Sequence, residues 1–132
     1  MKLIVCIDKN GGMMFNRRRQ SRDRVMIENL SKHIKGEILN ISPYSEALFD
    51  GTDIKYRVCE IPTSSANDGY VFIEDTGLPE PSEVSELVVY NWCEAYPSDV
   101  GFDFDLSSLK RISKEKFKGY SHEKITKEVY RR

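Results

Sequence analysis

The sequence predicts an α/β domain with a mostly parallel central sheet and helices on its faces. Three observations lead there. The short runs Lys2–Ile7, Tyr70–Ile73 and Leu87–Tyr90 are rich in β-branched and aromatic residues and mostly apolar on both faces, as strands covered on both sides are. Ser21–Lys35 carries a helical pattern between the first run and the others, and sheets covered on both faces generally take helical crossovers. The chain has 132 residues, which suits one domain, since a split would leave pieces too small for separate cores.

Lys2–Ile7 ends at Asp8, and Asn10-Gly11-Gly12 opens a loop that is expected to be mobile. Ser21–Lys35 is the strongest helix. Ser21 is placed to cap it, Met26, Ile27, Leu30 and Ile34 form one apolar stripe, and Gly36 supplies the stop. Glu37–Ile41 reads as a strand. A short helix then begins at Ser42, with Pro43 at its first position and Asp50-Gly51 beyond its end. Pro62–Gly69 and Pro79–Ser82 are predicted loops. The C-terminal stretch stays open. Ile125, Val129 and the pairs Glu123/Lys127 and Glu128/Arg132 have helical spacing, whereas Ile125-Thr126 and Val129-Tyr130 are strand-forming types.

Charge is distributed in blocks. Residues 1–57 hold eleven basic and seven acidic residues, Val58–Leu109 holds eleven acids and no lysine or arginine, and Lys110–Arg132 holds nine basic and three acidic residues. Such blocks either steer a partner or fold against one another. Cys6, Cys59 and Cys93 are odd in number and show no CxxC spacing, so the expectation is a reducing, cytoplasmic setting with no disulfide framework or zinc knuckle. The N-terminal apolar run meets Asp8 too soon for a signal peptide or a membrane span. No P-loop, GxSxG or HExxH motif occurs.

The order of these elements resembles the dihydrofolate reductase family. Met1–Gly12 (MKLIVCIDKNGG) is similar to that family's first strand and the opening of its active-site loop. The helix from Ser21 sits where the family has its first helix, and Glu37–Phe49 resembles the following strand and short helix. Leu87–Asp105, with Tyr96-Pro97-Ser98-Asp99-Val100-Gly101-Phe102, resembles a strand ending and an aromatic–Gly–Asp–Thr–Phe–Phe segment, and Ser121–Arg132 resembles the last strand. The resemblance implies a reduced single domain over 1–132 with a shortened middle, and a strand at the C-terminus. Asp23 would then correspond to the carboxylate that the reductases use to bind a pteridine.

The departures bear on chemistry. The family holds the NADPH pyrophosphate on a glycine-rich turn at a helix N-terminus. Here Ile73 is followed by Glu74-Asp75-Thr76-Gly77, with no room for a helix before Pro79. The family's Gly-Arg-x-Thr is matched by Asn40-Ile41-Ser42-Pro43, and arginines replace its loop tryptophan and proline. The expectation is the fold without NADPH or any other cofactor. Asn16–Arg24 and Ser121–Arg132 also resemble short bacterial proteins often labelled ribonuclease Z. That activity needs a His-x-His-x-Asp-His motif for two zinc ions, whereas this chain has two separated histidines, His33 and His122, so no metal site is expected.

The candidate ligand-binding residues are Arg17, Arg19, Ser21, Arg22 and Asp23. With Arg18 and Arg24 they crowd the start of the helix, where arginine forks and free N–H groups suit an anion. The bland alternative is that they face water or pair with the acidic middle. As exposed charges, Arg19 and Arg22 would be replaceable by alanine at little cost in stability. His122 reads as unable to form a relay with Ser121 or Glu123, because neighbours on a strand point to opposite faces. His33 reads as a surface residue near the helix end, Cys6 and Cys93 as core, and Tyr44, Tyr56, Tyr90, Trp92 and Tyr96 as packing aromatics.

Together these readings describe a ligand-binding domain for a small anionic or planar molecule, or for a protein partner, with no catalytic residue assigned. One alternative is an enzyme that modifies nucleotides or pteridines in the retained cleft. Another is an RNA-associated protein using the arginine segment, although a pI of about 6.1 argues against strong nucleic-acid binding.

Overall fold

Lys2–Ile7 forms β1, the middle strand of the main sheet. In the computed structural model, which describes residues 1–64 and 68–132, the chain continues through β2 (Gly12–Phe15), β3 (Arg18–Arg19), α1 (Arg24–Ile34), β4 (Leu39–Ile41), α2 (Glu46–Phe49) and β5 (Tyr56–Val58). It is completed by β6 (Tyr70–Phe72), β7 (Glu86–Asn91), β8 (Val100–Gly101), β9 (Lys110–Phe117) and β10 (Ile125–Arg131). The seven-stranded sheet runs β5-β4-β6-β1-β7-β10-β9. Pairings from β5 to β7 are parallel, and β10 is antiparallel to both β7 and β9. The C-terminal stretch is therefore a strand.

Alternation along the three central strands divides two cores. Ile4 on β1, Phe72 on β6 and Val88 and Tyr90 on β7 pack with the Met26, Ile27, Leu30 and Ile34 stripe of α1 and with Leu48 and Phe49 of α2. Leu3, Val5, Val71, Ile73, Leu87 and Val89 point the other way. Both helices thus lie on one face. Met13 and Met14 of β2, with Phe102, Phe104, Leu106 and Leu109, cover the other. Each fully buried side chain of the α1 stripe contributes about 1.5–3 kcal/mol.

Helix α1 starts later than Ser21. Asp23 is its cap, with extended backbone and a carboxylate that accepts from the N–H groups of Val25 and Met26, so Ser21 is released for another role. Lys35 and Gly36 end the helix with positive φ of 52° and 82°, the left-handed stop that Gly36 predicts. The segment opened by Asn10-Gly11-Gly12 forms a β-hairpin, β2–β3. Asn16 and Arg17 both have positive φ, as a two-residue turn between β2 and β3 requires. β2 also pairs with β8, which ties the hairpin to the segment after β7.

Between β6 and β7 stands a single 3-10 turn, Pro81–Glu83, which overlaps the loop predicted over Pro79–Ser82. Another covers Pro62–Ser64. The remainder of the loop predicted over Pro62–Gly69 includes residues 65–67, which lie outside the described residues. No helix of the described residues is long and apolar enough to cross a membrane.

Candidate functional site

A groove of about 640 Å³ opens between α1 and the segment Ala47–Asp53. Its lining includes apolar Ile27 and Leu48, the arginines Arg22 and Arg24, the acids Glu28, Asp50 and Asp53, and Tyr120. The Arg24 guanidinium lies 4.0 Å from the centre of the Tyr120 ring, an arrangement that holds an exposed aromatic face at the mouth. The groove therefore offers both signs of charge and a flat apolar surface.

Asp23 stands at the end of this groove and is buried. Its Oδ1 accepts from the N–H groups of Val25 (2.8 Å), Met26 (3.2 Å) and Tyr120 (3.0 Å). Oδ2 accepts from the Ser121 N–H (2.9 Å), the Ser121 hydroxyl (3.3 Å) and His122 Nδ1 (2.8 Å). Burial alone would raise the pKa. It is outweighed by the hydrogen bonds from Tyr120, His122, Ser121 and Met26, which hold the carboxyl well below the usual carboxylate range. Gly119 lets the β9–β10 turn come this close, since a Cβ there would stand 2.6 Å from Asp23 Oδ2 and 2.7 Å from Ile125 Cδ1.

An ionised carboxylate only accepts, so His122 Nδ1 carries a proton, and in the neutral imidazole Nε2 is then the acceptor. Nε2 lies 2.8 Å from Ser21 Oγ and 3.4 Å from the Tyr96 hydroxyl, and the latter donates to Glu94. The imidazole stacks on Trp92 at 4.8 Å between ring centres and 23° between planes. His122 is thus far from inert. It lies in a turn rather than on a strand, so the opposite-faces expectation does not apply to it.

Ser21 also lines a second, smaller cavity together with Cys6, Gln20, Met26, Phe72 and Trp92. The cavity is closed to about 10 Å³, room for about one water molecule. Across it, Arg19 forms a bidentate pair with Glu74, Nε to Oε1 at 3.0 Å and Nη2 to Oε2 at 2.9 Å, and Ser45 donates to the same carboxylate at 2.6 Å. Arg19 also lies over the Tyr44 ring. Burial, and then the charge of Glu74, push the Cys6 thiol well above its ordinary range, so it is not a thiolate at neutral pH.

The five candidate residues separate into four places. Arg17 is exposed at the tip of the β2–β3 hairpin. Arg19 closes the small cavity with a side chain 19% exposed, which corrects the expectation that it is a free surface charge. Arg22 lines the groove, while Ser21 and Asp23 meet at His122. From sequence alone, His122, Glu74 and Trp92 have no place in the site, and Ser45 carries no signal at all. A recognisable signal existed for Glu74, a carboxylate directly after a doubly apolar run, but none linked His122 to a partner 99 residues away. His33 is also corrected: its side chain is 14% exposed and pairs with Glu86 at 3.2 Å, edge-on to Tyr70. Tyr90 and Trp92 are core, as expected, whereas Cys6 and Cys93 are partly buried and Tyr44 is exposed.

No family model matches the sequence, and no curated relative matches it. Solved structures do match. One is a dihydrofolate reductase from Enterococcus faecalis, complexed with NADP(H) and RAB-propyl, which is 12% identical with a TM-score of 0.65, over 99% of this chain and 95% of that chain. At that identity the likeness shows the fold: a dihydrofolate reductase-like α/β domain with a mostly parallel central sheet.

Proposed function

We propose that the chain is a ligand-binding domain that takes a small planar or anionic molecule in the groove between α1 and Ala47–Asp53, without NADP(H). The observation that carries this reading is the groove itself: large enough for a drug-sized molecule, with apolar Ile27 and Leu48, and with Arg22, Arg24 and a propped Tyr120 on one side facing Asp50 and Asp53 on the other, beside Glu28. Aromatic stacking and arginine forks suit a flat molecule with a negative group. Asp23 does not offer itself to that ligand, because both oxygens already accept hydrogen bonds from the fold. This weighs against a pteridine held by the carboxylate.

The turn after β6 supports the absence of a dinucleotide. Glu74 is bound to Arg19 and Ser45, and Asp75 Oδ1 accepts from the Ser42 hydroxyl at 2.6 Å. The connection onward to β7 holds a one-turn 3-10 helix rather than a helix N-terminus that can cradle phosphates. A pyrophosphate arriving there meets the exposed Asp75 carboxylate, and a close pair of like charges costs ~4 kcal/mol at an intermediate dielectric.

The test is a thermal-shift screen of pterins, nucleotides, NADPH and small organic acids, followed by calorimetry. A ligand at a hundred times its Kd stabilises the native state by about 2.7 kcal/mol. Ala47→Arg, which fills the groove from α2, is expected to abolish the shift and leave the fold unchanged. Micromolar NADPH affinity, or ligand binding undisturbed by Ala47→Arg, would overturn the proposal.

A further inference from the structure

The small cavity carries an inference independent of the groove. A helix cap needs one carboxylate oxygen, and Asp23 Oδ1 serves that purpose. Its Oδ2 is instead directed to His122 Nδ1, steadied by the N–H and hydroxyl of Ser121. The same imidazole presents Nε2 to Ser21 Oγ. Nucleophile to base and base to orienting carboxylate are both 2.8 Å, within the range that activates a serine. Trp92 fixes the plane of the ring.

We propose that Ser21 is a nucleophile activated by His122, with Asp23 as the positioning residue, and that this site hydrolyses carboxylic esters of short, apolar acyl groups. As Ser21 Oγ bonds to the acyl carbon, its proton passes to His122 Nε2. The carbon–oxygen bond to the alcohol breaks, and Nε2 returns that proton to the departing alkoxide. Water then gives a proton to Nε2 and its hydroxide adds to the acyl carbon. The acyl–Oγ bond breaks, and Oγ recovers the proton, so ester and water yield acid and alcohol. Arg19, in the lining of the same cavity, supplies positive charge for the oxyanion. Gln20 Oε1 is buried without a partner among the described residues, an acceptor available to the attacking water. Met13, Met26, Leu48, Phe72 and Trp92 form a narrow apolar wall beside Cys6 and the Glu74 carboxylate, and that wall sets the acyl preference. Admission of substrate requires the Arg19–Glu74 pair to part.

The bland alternative is a clamp that fastens the β9–β10 turn to the start of α1. A fluorophosphonate probe separates the two, because a clamp does not make Ser21 reactive. Wild-type protein and Glu74→Gln, in which the closing pair is weakened, are treated between pH 6 and 9 and followed by intact mass and peptide mapping. The expected result is one adduct on Ser21, absent in Ser21→Ala and formed at least 100-fold more slowly in Asp23→Asn. Hydrolysis of 4-nitrophenyl acetate is expected to follow the same order. Ser21→Ala removes a single hydroxyl and is the decisive variant if Asp23→Asn fails to fold. No adduct on either wild type or Glu74→Gln, an adduct on another residue, or an unchanged rate in folded Asp23→Asn would overturn the proposal.

Discussion

Replacement of Asp23 by alanine gives the sharpest test of how the fold is fastened. The carboxylate closes three structures at once: the N-terminus of α1, the Tyr120–Ser121 turn and the His122 imidazole. Loss of a helix cap costs about 1 kcal/mol. Leaving the Tyr120, Ser121 and His122 donors without their buried acceptor costs a further ~1–3 kcal/mol for each one that cannot find another partner. The contributions overlap, since the same cavity and turn absorb both, so the expected loss is about 4 kcal/mol rather than their sum. For a chain of this length each kcal/mol lowers Tm by roughly 3–5 °C, which places the variant about 12–20 °C below wild type. Urea denaturation and calorimetry measure both quantities. Asp23→Asn retains a capping oxygen and is expected to lose less. A Tm within about 4 °C of wild type for Asp23→Ala, or equal losses for the two variants, would refute the claim that one charged carboxylate joins these elements.

Gly119→Ala is expected to destabilise by about 1–3 kcal/mol, because the new Cβ would stand 2.6 Å from Asp23 Oδ2; chemical denaturation checks it, and a neutral result would contradict the close approach. The acid dependence of stability follows from Asp8, Asp23 and Glu86. Hydrogen bonds outweigh the burial of Asp8 and Asp23, and His33 lowers Glu86 most, so all three are ionised further into acid when folded. Their contribution is complete above the unfolded carboxylate range and is lost as pH falls below about 4 through the folded values. Stability flat from pH 5 to pH 2 would contradict this. For Arg19 and Glu74, a double-mutant cycle of Arg19→Ala and Glu74→Gln is expected to give a coupling of about 1–3 kcal/mol, and a coupling near zero would return Arg19 to the surface.

The two core faces could be read from the sequence wherever alternation met burial on both sides, as in Ile4, Phe72 and Tyr90 against Leu3, Val71 and Val89. β9 could not. Every one of its residues is exposed except Phe117, which is partly buried, so no apolar face marks it, and its lysines suit the sheet edge it occupies. The β2–β3 hairpin was equally hidden, because Asn16-Arg17 adopts a turn that usually advertises itself with glycine. The arginine cluster signalled charge but not direction: Arg19 turned inward to Glu74 while Arg17 stayed at a hairpin tip. Ser21 and Asp23 were legible as polar residues at a helix start. Their meeting with His122 depends on the fold of the whole C-terminal hairpin, and no local pattern encodes it.

The groove between α1 and Ala47–Asp53 as the binding site is tested most directly by amide chemical-shift mapping of isotope-labelled protein. Pterins, nucleoside monophosphates and NADPH serve as separate probes. The expected result is saturable shifts for at least one planar anionic probe, clustered at Arg22–Ile27, Ala47–Asp53 and Tyr120, with NADPH inert. Saturable shifts centred on Glu74–Leu78 with NADPH, or no saturable shift with any probe, would contradict it.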